Sequence, residues 1–374
     1  MKFPERVLAT LQHKPIDQVV WQPSLMYWYN TNKVNLLKPE KIDESVQKYV
    51  PKNLAGLHVL ELYKEIKGSI RYPHESLHLP SFYTQLAPNK GIKERSSFND
   101  AGEYVQVLET PLGKLEKKSR MGFPLEYYVK KIEDLDVIEC LLDNTEYCFN
   151  PYVFEAAQEA IEDLGVVQTY NFRSPYQRCV IEYLGFVRTT LFLRRHPRRM
   201  AKFIDFLEAW DEKAYKVILD SPLKVVSFGE NIHGKIAPPP IFERYHLPYY
   251  KKRVKQIHEK GKLCHIHMDG DMKDLLPFFP ELPFDGIEAV TFKPQGDITP
   301  EELQDVMGKK VLLDGIPAVL FLPEFPVKQL EKYALKLLEM FAPRLILGIS
   351  DEMCPTMDGG RLKVIGDLVI DHYS

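Results

Sequence analysis

The sequence predicts an α/β fold of the (β/α)8 TIM-barrel kind, and three observations predict it. From about residue 150 onward, short apolar runs alternate with longer amphipathic segments, which is the rhythm of parallel strands joined by crossover helices. The last residues of those runs are unusually polar, as expected where strand ends form a functional mouth. No Gly-x-Gly-x-x-Gly loop occurs, which weakens the competing open, doubly wound sheet that binds a dinucleotide.

An opening amphipathic helix is expected over residues 3–12, then a brief strand over 19–23 ended by Pro23. Residues 26–32 read as an aromatic, amide-rich loop. Three consecutive aromatics cannot all face one interior, so Tyr27, Trp28 and Tyr29 are candidates to line a pocket. Residues 70–145 are the least regular; the runs 104–108 and 110–116 flank Pro111-Leu112-Gly113 and predict a β-hairpin. This region is expected to be an inserted flap on a single barrel domain spanning 1–374. Strands are predicted over 166–172, 225–231, 263–270, 286–292, 311–317 and 345–351. Helices fall over 176–192, 197–219, 240–260, 272–279, 299–307 and 327–341. Thr299, Pro300 and Glu302 supply an N-cap, a first-turn proline and a capping-box acid. The strand at 19–23 and one further strand from the N-terminal third complete eight, giving a barrel with an N-terminal extension and a β-hairpin insertion.

Composition bounds the function. The 374 residues are 45% hydrophobic and 27% charged with a formal net charge of -3, so neither nucleic acid nor a membrane surface is indicated as partner. No apolar run reaches the ~20 residues that span a bilayer. Residues 1–14 carry charges throughout and lack a signal-peptide core. Cys140, Cys148, Cys179, Cys264 and Cys354 form an odd set without a repeating frame, which fits a reduced, cytoplasmic protein. A homodimer is compatible with this composition.

Chemistry collects on the stretch 263–270. As a strand of period two it sends Leu263, His265, His267 and Asp269 to one face and Cys264, Ile266 and Met268 to the other. Two imidazoles and a carboxylate on one face are costly in a core unless paired, so such a face lines a cavity, a metal site or a hydrogen-bonded network. The other strand ends contribute Asn171 and Arg173, Glu230 and Asn231, Glu288 and Thr291, Asp314, Ser350, Asp351 and Cys354. Each has a plainer reading: Glu230 as a helix cap, Asp314 as a turn former, Asp351 as a helix N-terminal charge, Cys354 as a small buried hydrophobe, His265 as a hydrogen-bonded core histidine. Glu230, His267, Asp269 and Cys354 would make a four-coordinate zinc set if the strand ends converge. Their spacings follow no short metal motif, so the pattern leaves metal and metal-free readings both open.

A family resemblance enters with Phe3-Pro4-Glu5-Arg6-Val7-Leu8-Ala9-Thr10-Leu11, Ser174-Pro175-Tyr176-Gln177-Arg178, Glu182-Tyr183-Leu184-Gly185, Leu247-Pro248-Tyr249-Tyr250-Lys251, His267-Met268-Asp269-Gly270 and Leu347-Gly348-Ile349-Ser350-Asp351. These segments resemble the uroporphyrinogen decarboxylase-like superfamily, whose fold is a (β/α)8 barrel. The decarboxylase grips its polycarboxylate substrate with an arginine-rich N-terminal segment, whereas the corresponding stretch here, residues 21–29, contains no arginine. The centre of the chain is more similar to the corrinoid-dependent methyltransferase branch, which includes methylcobalamin:coenzyme M methyltransferases and O-demethylase methyltransferases. The thiol-methylating members carry His-x-Cys on the strand matching 263–270 and a second cysteine near the C-terminus, both binding zinc. Here His267 and Cys354 lie at or near those places and Asp269 replaces the first cysteine.

The resemblance implies zinc and a corrinoid (cobalamin) carried on a separate protein, since no Asp-x-His-x-x-Gly is present in this chain. Exchanging a thiolate for a carboxylate makes the metal harder, better suited to an ether oxygen than to a thiolate. The expected reaction is demethylation of a small methyl ether, aromatic by preference. His267, Asp269 and Glu230 would carry the chemistry. Tyr27, Trp28, Tyr29, Phe172, Tyr176 and Phe292 would wall the substrate, with Arg173 and Glu288 as its polar contacts. Transfer from the corrinoid protein to a thiol or pterin, and a metal-free lyase, are the alternatives.

Overall fold

The computed structural model describes residues 1–37, 49–88 and 90–374, which divide into two compact units. The first comprises Met1–Ser81, Pro151–Asn171 and Leu223–Ser374, and the second Phe82–Asn150 and Phe172–Pro222. The expected flap over 70–145 thus has different bounds: residues 70–81 belong to the first unit, and the second also takes in residues 172–222.

Seven parallel strands make the sheet of the first unit, in the order Val20–Trp21, Leu345–Ser350, Val311–Pro317, Gly286–Glu288, Leu263–His267, Val225–Phe228, Tyr170–Asn171. The segment at 69–70 bonds to one end strand and to residues 164–165, which lead into the other. Ser69 N donates to Trp21 O at 2.7 Å and Ile70 N to Leu164 O at 2.8 Å, with a parallel bridge between Ile70 and Gly165. Ser69–Ile70 thus occupies the place of a further strand, although it pairs only through this isolated bridge.

Buried on both faces, the strands are runs of Val, Ile and Leu rather than alternating patterns. At the N-terminal end of the sheet, Val20, Val166, Val225, Val311, Leu313 and Ile346 form one apolar cluster, with Leu263 packed against it. The helix Phe3–Leu11 adds Val7 and Leu11 to the same cluster, so the N-terminal extension plugs that end. The polar residues are left to the other end.

Several strands are shorter than their apolar runs. Asn231, Ala289 and Asp351 adopt φ of 52°, 65° and 69°, left-handed conformations that break the extended backbone just past Phe228, Glu288 and Ser350. Asp314, inside Val311–Pro317, has φ of 79°. These four non-glycine residues, three just past strand ends and Asp314 within its strand, mark places where local strain is held by surrounding structure.

Some helices also differ from the sequence reading. Residues 26–32 are not a loop but the start of the helix Met26–Leu37. The expected helix over 240–260 is Pro239–Ile241, a π-turn Phe242–His246 and Leu247–Glu259. Pro248 has no N–H to continue the ordinary ladder, and a π-insertion accommodates that gap. Lys273–Glu281 is 3-10 in geometry and contains Pro277 and Pro280.

In the second unit, Tyr104–Thr110 and Gly113–Arg120 form the predicted hairpin, with Leu108 opposite Leu115. Lys93–Phe98 and Phe123–Glu126 extend it to four antiparallel strands. Here the buried Arg178 pairs with Asp211 and lies over the rings of Phe172 and Trp210, at 5.4 and 5.5 Å from their centroids.

Candidate functional site

The interior of the sheet above the apolar cluster is polar, and Glu288 is its hub. Its Oε1 accepts from Arg71 Nη1 at 2.8 Å and its Oε2 from the Tyr72 hydroxyl at 2.6 Å. His265 Nδ1 lies 2.9 Å from Oε2, and His265 Nε2 lies 2.8 Å from Gln168 Oε1. Arg71 also forks onto Asp314 at 2.8 and 3.1 Å and donates Nε–H to Gln22 Oε1 at 2.8 Å. Burial would raise the Glu288 carboxyl, but Arg71 and His265 overcome it and hold it well below the usual range. Burial and the Glu288 charge keep the Tyr72 phenol well above its ordinary value, so it remains a donor.

His267 stands one pleat above His265, at the end of the strand. Its Nδ1 is 3.7 Å from Glu288 Oε1, and its Nε2 is 4.0 Å from Asp269 Oδ1 and 3.7 Å from Asp351 Oδ1. Those separations exceed a hydrogen bond. Both His267 nitrogens and Asp269 Oδ1 are buried without a hydrogen-bond partner. Burial opposes charge on this imidazole, yet Glu288, Asp269 and Asp351 together raise it to about 9. Beyond it, burial and neighbouring carboxylates lift Asp351 and Glu352, and raise Glu75 to about 7. A site with this excess of carboxylate favours a cation.

An aromatic platform flanks the imidazole. Tyr72 and Tyr170 stack with centroids 4.1 Å apart, and Tyr170 meets His267 edge-on at 6.1 Å. Gly229 makes room for it, because a Cβ there would fall 2.7 Å from Tyr170 Cδ1.

The structure brings some of the predicted residues together and leaves others apart. His267 and Asp269 adjoin each other, joined by Asp351, while Glu230 is buried just past Phe228 at the same strand-end level. Cys354 is exposed rather than a buried hydrophobe, and partial burial of its thiol, followed by the charges of Asp351 and Glu352, raises it. Glu288, expected as a substrate contact, is occupied by Arg71, Tyr72 and His265 and so positions the site. Trp28 and Tyr29 are buried, with Trp28 Nε1–H donating to Met357 O at 3.0 Å, while Tyr27 points to solvent. Phe292 is fully buried. Phe172, Arg173 and Tyr176 belong to the second unit, where Phe172 packs against Tyr147, Trp210 and Tyr215 and Arg173 pairs with Glu182 at 3.4 Å.

Arg71, Tyr72, Glu75 and Tyr170 were not foreseen. Arg71 and Tyr72 immediately follow the Ser69–Ile70 connection; had that segment been located, the polar-strand-end rule would have found both.

A seven-stranded parallel sheet, plugged at its N-terminal end and carboxylate-lined at the other, defines the class of protein. The chain belongs to the uroporphyrinogen decarboxylase (URO-D) family, whose model matches residues 121–371. Its fold is shared by a methyltransferase from Methanosarcina mazei, 13% identical over 100% of both chains with a TM-score of 0.60. A protein described as a vitamin-B12 independent methionine synthase from Listeria monocytogenes aligns with 61% of this chain and 71% of its own, at 13% identity and a TM-score of 0.39. No curated protein matches the chain significantly. No helix among the described residues is long and apolar enough to cross a membrane.

Proposed function

We propose that this protein is a zinc-dependent methyltransferase that moves a methyl group from a small, preferably aromatic, methyl ether to the cobalt of a separate corrinoid protein. The observation that carries the reading is the pair of unpartnered buried donors at the strand ends, His267 with both nitrogens and Asp269 with Oδ1. Such atoms are costly to bury and fit a ligand that satisfies them. His267 and Asp269 would hold zinc, and Glu230 and Cys354, which with them form no group of three ligand atoms within 4.8 Å, would have to move in as the further ligands. A bound zinc supplies Lewis acidity to a leaving phenolate.

The chain's own residues do the rest. Glu288, pinned by Arg71, Tyr72 and His265, faces His267 Nδ1 and favours the tautomer that leaves Nε2 free to bind. Tyr72 and Tyr170 offer a flat apolar surface beside it. Carboxylates at Glu75, Asp351 and Glu352 repel a polyanion, and the buried guanidinium of Arg71 is already engaged by Glu288 and Asp314. The electrostatics therefore favour a neutral methyl ether over a polycarboxylate.

The test is metal analysis of protein purified without chelator, combined with methyl transfer from a panel of methoxyaromatics to a reduced corrinoid protein. His267→Ala should lose both metal and transfer. Asp269→Cys should keep the metal but transfer more slowly from ethers, since a softer site polarises oxygen less. Absence of stoichiometric metal together with unimpaired transfer by His267→Ala would end this reading.

A further inference from the structure

At the other end of the strand Leu263–His267, on its outer face, a histidine, a thiol and a carboxylate meet. His258, Cys264 and Asp285 each present one ligand atom, and the three atoms lie within 4.8 Å of one another; among the described residues no other group of three metal-type side chains is this close. His258 Nε2 is 3.0 Å from Asp285 Oδ2 and 4.0 Å from Cys264 Sγ. We propose that these residues form a metal site for a borderline divalent cation such as Zn2+, independent of the mouth.

Two donors are fixed by the sheet. Cys264 sits inside its strand, and Asp285 precedes Gly286–Glu288, tied by Asp285 N to Cys264 O at 3.0 Å and by Val311 N to Asp285 O at 2.8 Å. Cys264 N also donates to Asp285 Oδ2 at 2.7 Å, which orients the carboxylate. His258 comes from the last turn of the helix Leu247–Glu259, whose end is held by Gly261 N to His258 O at 2.9 Å. Donors on rigid elements bind with little reorganisation. Cys264 is fully buried, while the side chains of His258 and Asp285 are 42% and 19% exposed. A cation would therefore have sulfur behind it and an approach from solvent. One sulfur, one imidazole nitrogen and one carboxylate oxygen suit Zn2+ with water completing four ligands. A salt bridge alone uses His258 and Asp285 and gives the thiol no role.

The decisive experiment uses the full chain carrying His267→Ala and Cys354→Ser, so that the mouth contributes no metal. Stripped with chelator and titrated with Co2+, this protein should bind one cobalt per chain with a thiolate-to-cobalt charge-transfer band that Zn2+ abolishes. Adding Cys264→Ser should remove the band, and adding the half-exposed His258→Ala should weaken binding by about tenfold or more. Should Cys264→Ser fail to fold, His258→Ala and Asp285→Asn decide the matter. No sulfur band in the parent, or a band and affinity unchanged by these substitutions, would overturn the site. Loss of metal at the mouth is read separately, from His267→Ala alone.

Discussion

Removing the guanidinium of Arg71 while keeping its length tests the positioning network directly. Arg71→Met deletes hydrogen bonds to Glu288 at 2.8 Å, to Asp314 at 2.8 and 3.1 Å and to Gln22 at 2.8 Å, and Arg71 and both acids are almost wholly buried. Breaking a buried pair by removing one partner costs roughly 3–5 kcal/mol, because a charge stays buried without compensation. His265, 2.9 Å from Glu288, offsets part of this, so about 3 kcal/mol is expected at pH 8. The deficit should depend on pH. Without Arg71 the folded-state pKa of Glu288 rises above its unfolded value, and a group raised in this way loses its stabilising contribution as pH climbs from the unfolded to the folded pKa. Arg71→Met should therefore be closer to the parent at pH 5 than at pH 8. Tryptophan fluorescence in urea is the assay. In a Trp210→Phe background the signal comes from Trp21 and Trp28 of the first unit, so unfolding of the second unit does not blur it. A deficit below about 1 kcal/mol at pH 8, or one equal at the two pH values, would refute the claim that Arg71 neutralises these acids.

Other perturbations probe separate features. Burial, with Glu352 and Glu288, raises Glu75 to about 7, so its contribution to stability is lost as pH rises from about 4.5 to 7; Glu75→Gln should stabilise the protein at pH 8 and not at pH 4.5. Its side chain is 36% exposed, so solvent screening reduces the gain to about 1 kcal/mol, and a melting-temperature shift equal at both pH values would contradict the assignment. Gly348→Ala would drive a Cβ into Asp314 Oδ1 and the Gln22 carbonyl; a loss of roughly 1–3 kcal/mol is expected from overpacking, measured by the urea midpoint. Thr299→Ala removes the cap that Glu302 N donates to at 3.3 Å and should cost about 1 kcal/mol, visible as faster amide exchange over Pro300–Val306.

The fold was legible because parallel strands and crossover helices impose a rhythm that the order of apolar and polar residues reveals. Val311–Pro317 and Val327–Phe341 have the bounds that their apolar periodicities predict. His265 and His267 were assigned to one face of their strand by period two, and both meet Glu288 inside the sheet. What the sequence could not disclose was pairing across long separations. Arg71 reaches Glu288 across 217 residues and Asp314 across 243, and no local pattern marks such a contact. Ser69–Ile70 escaped notice because the segment is short and its hydrogen bonds run to Trp21 and Leu164, so its partners exist only once the sheet has formed. The aromatic run at 27–29 misled for the same reason: whether a tryptophan walls a pocket or fills a core depends on what packs over it, and for Trp28 that is the backbone near Met357. Local chemistry determined which residues could serve a site. Only the tertiary structure decided which of them are already satisfied, as Glu288 is, and which still lack a hydrogen-bond partner, as His267 does.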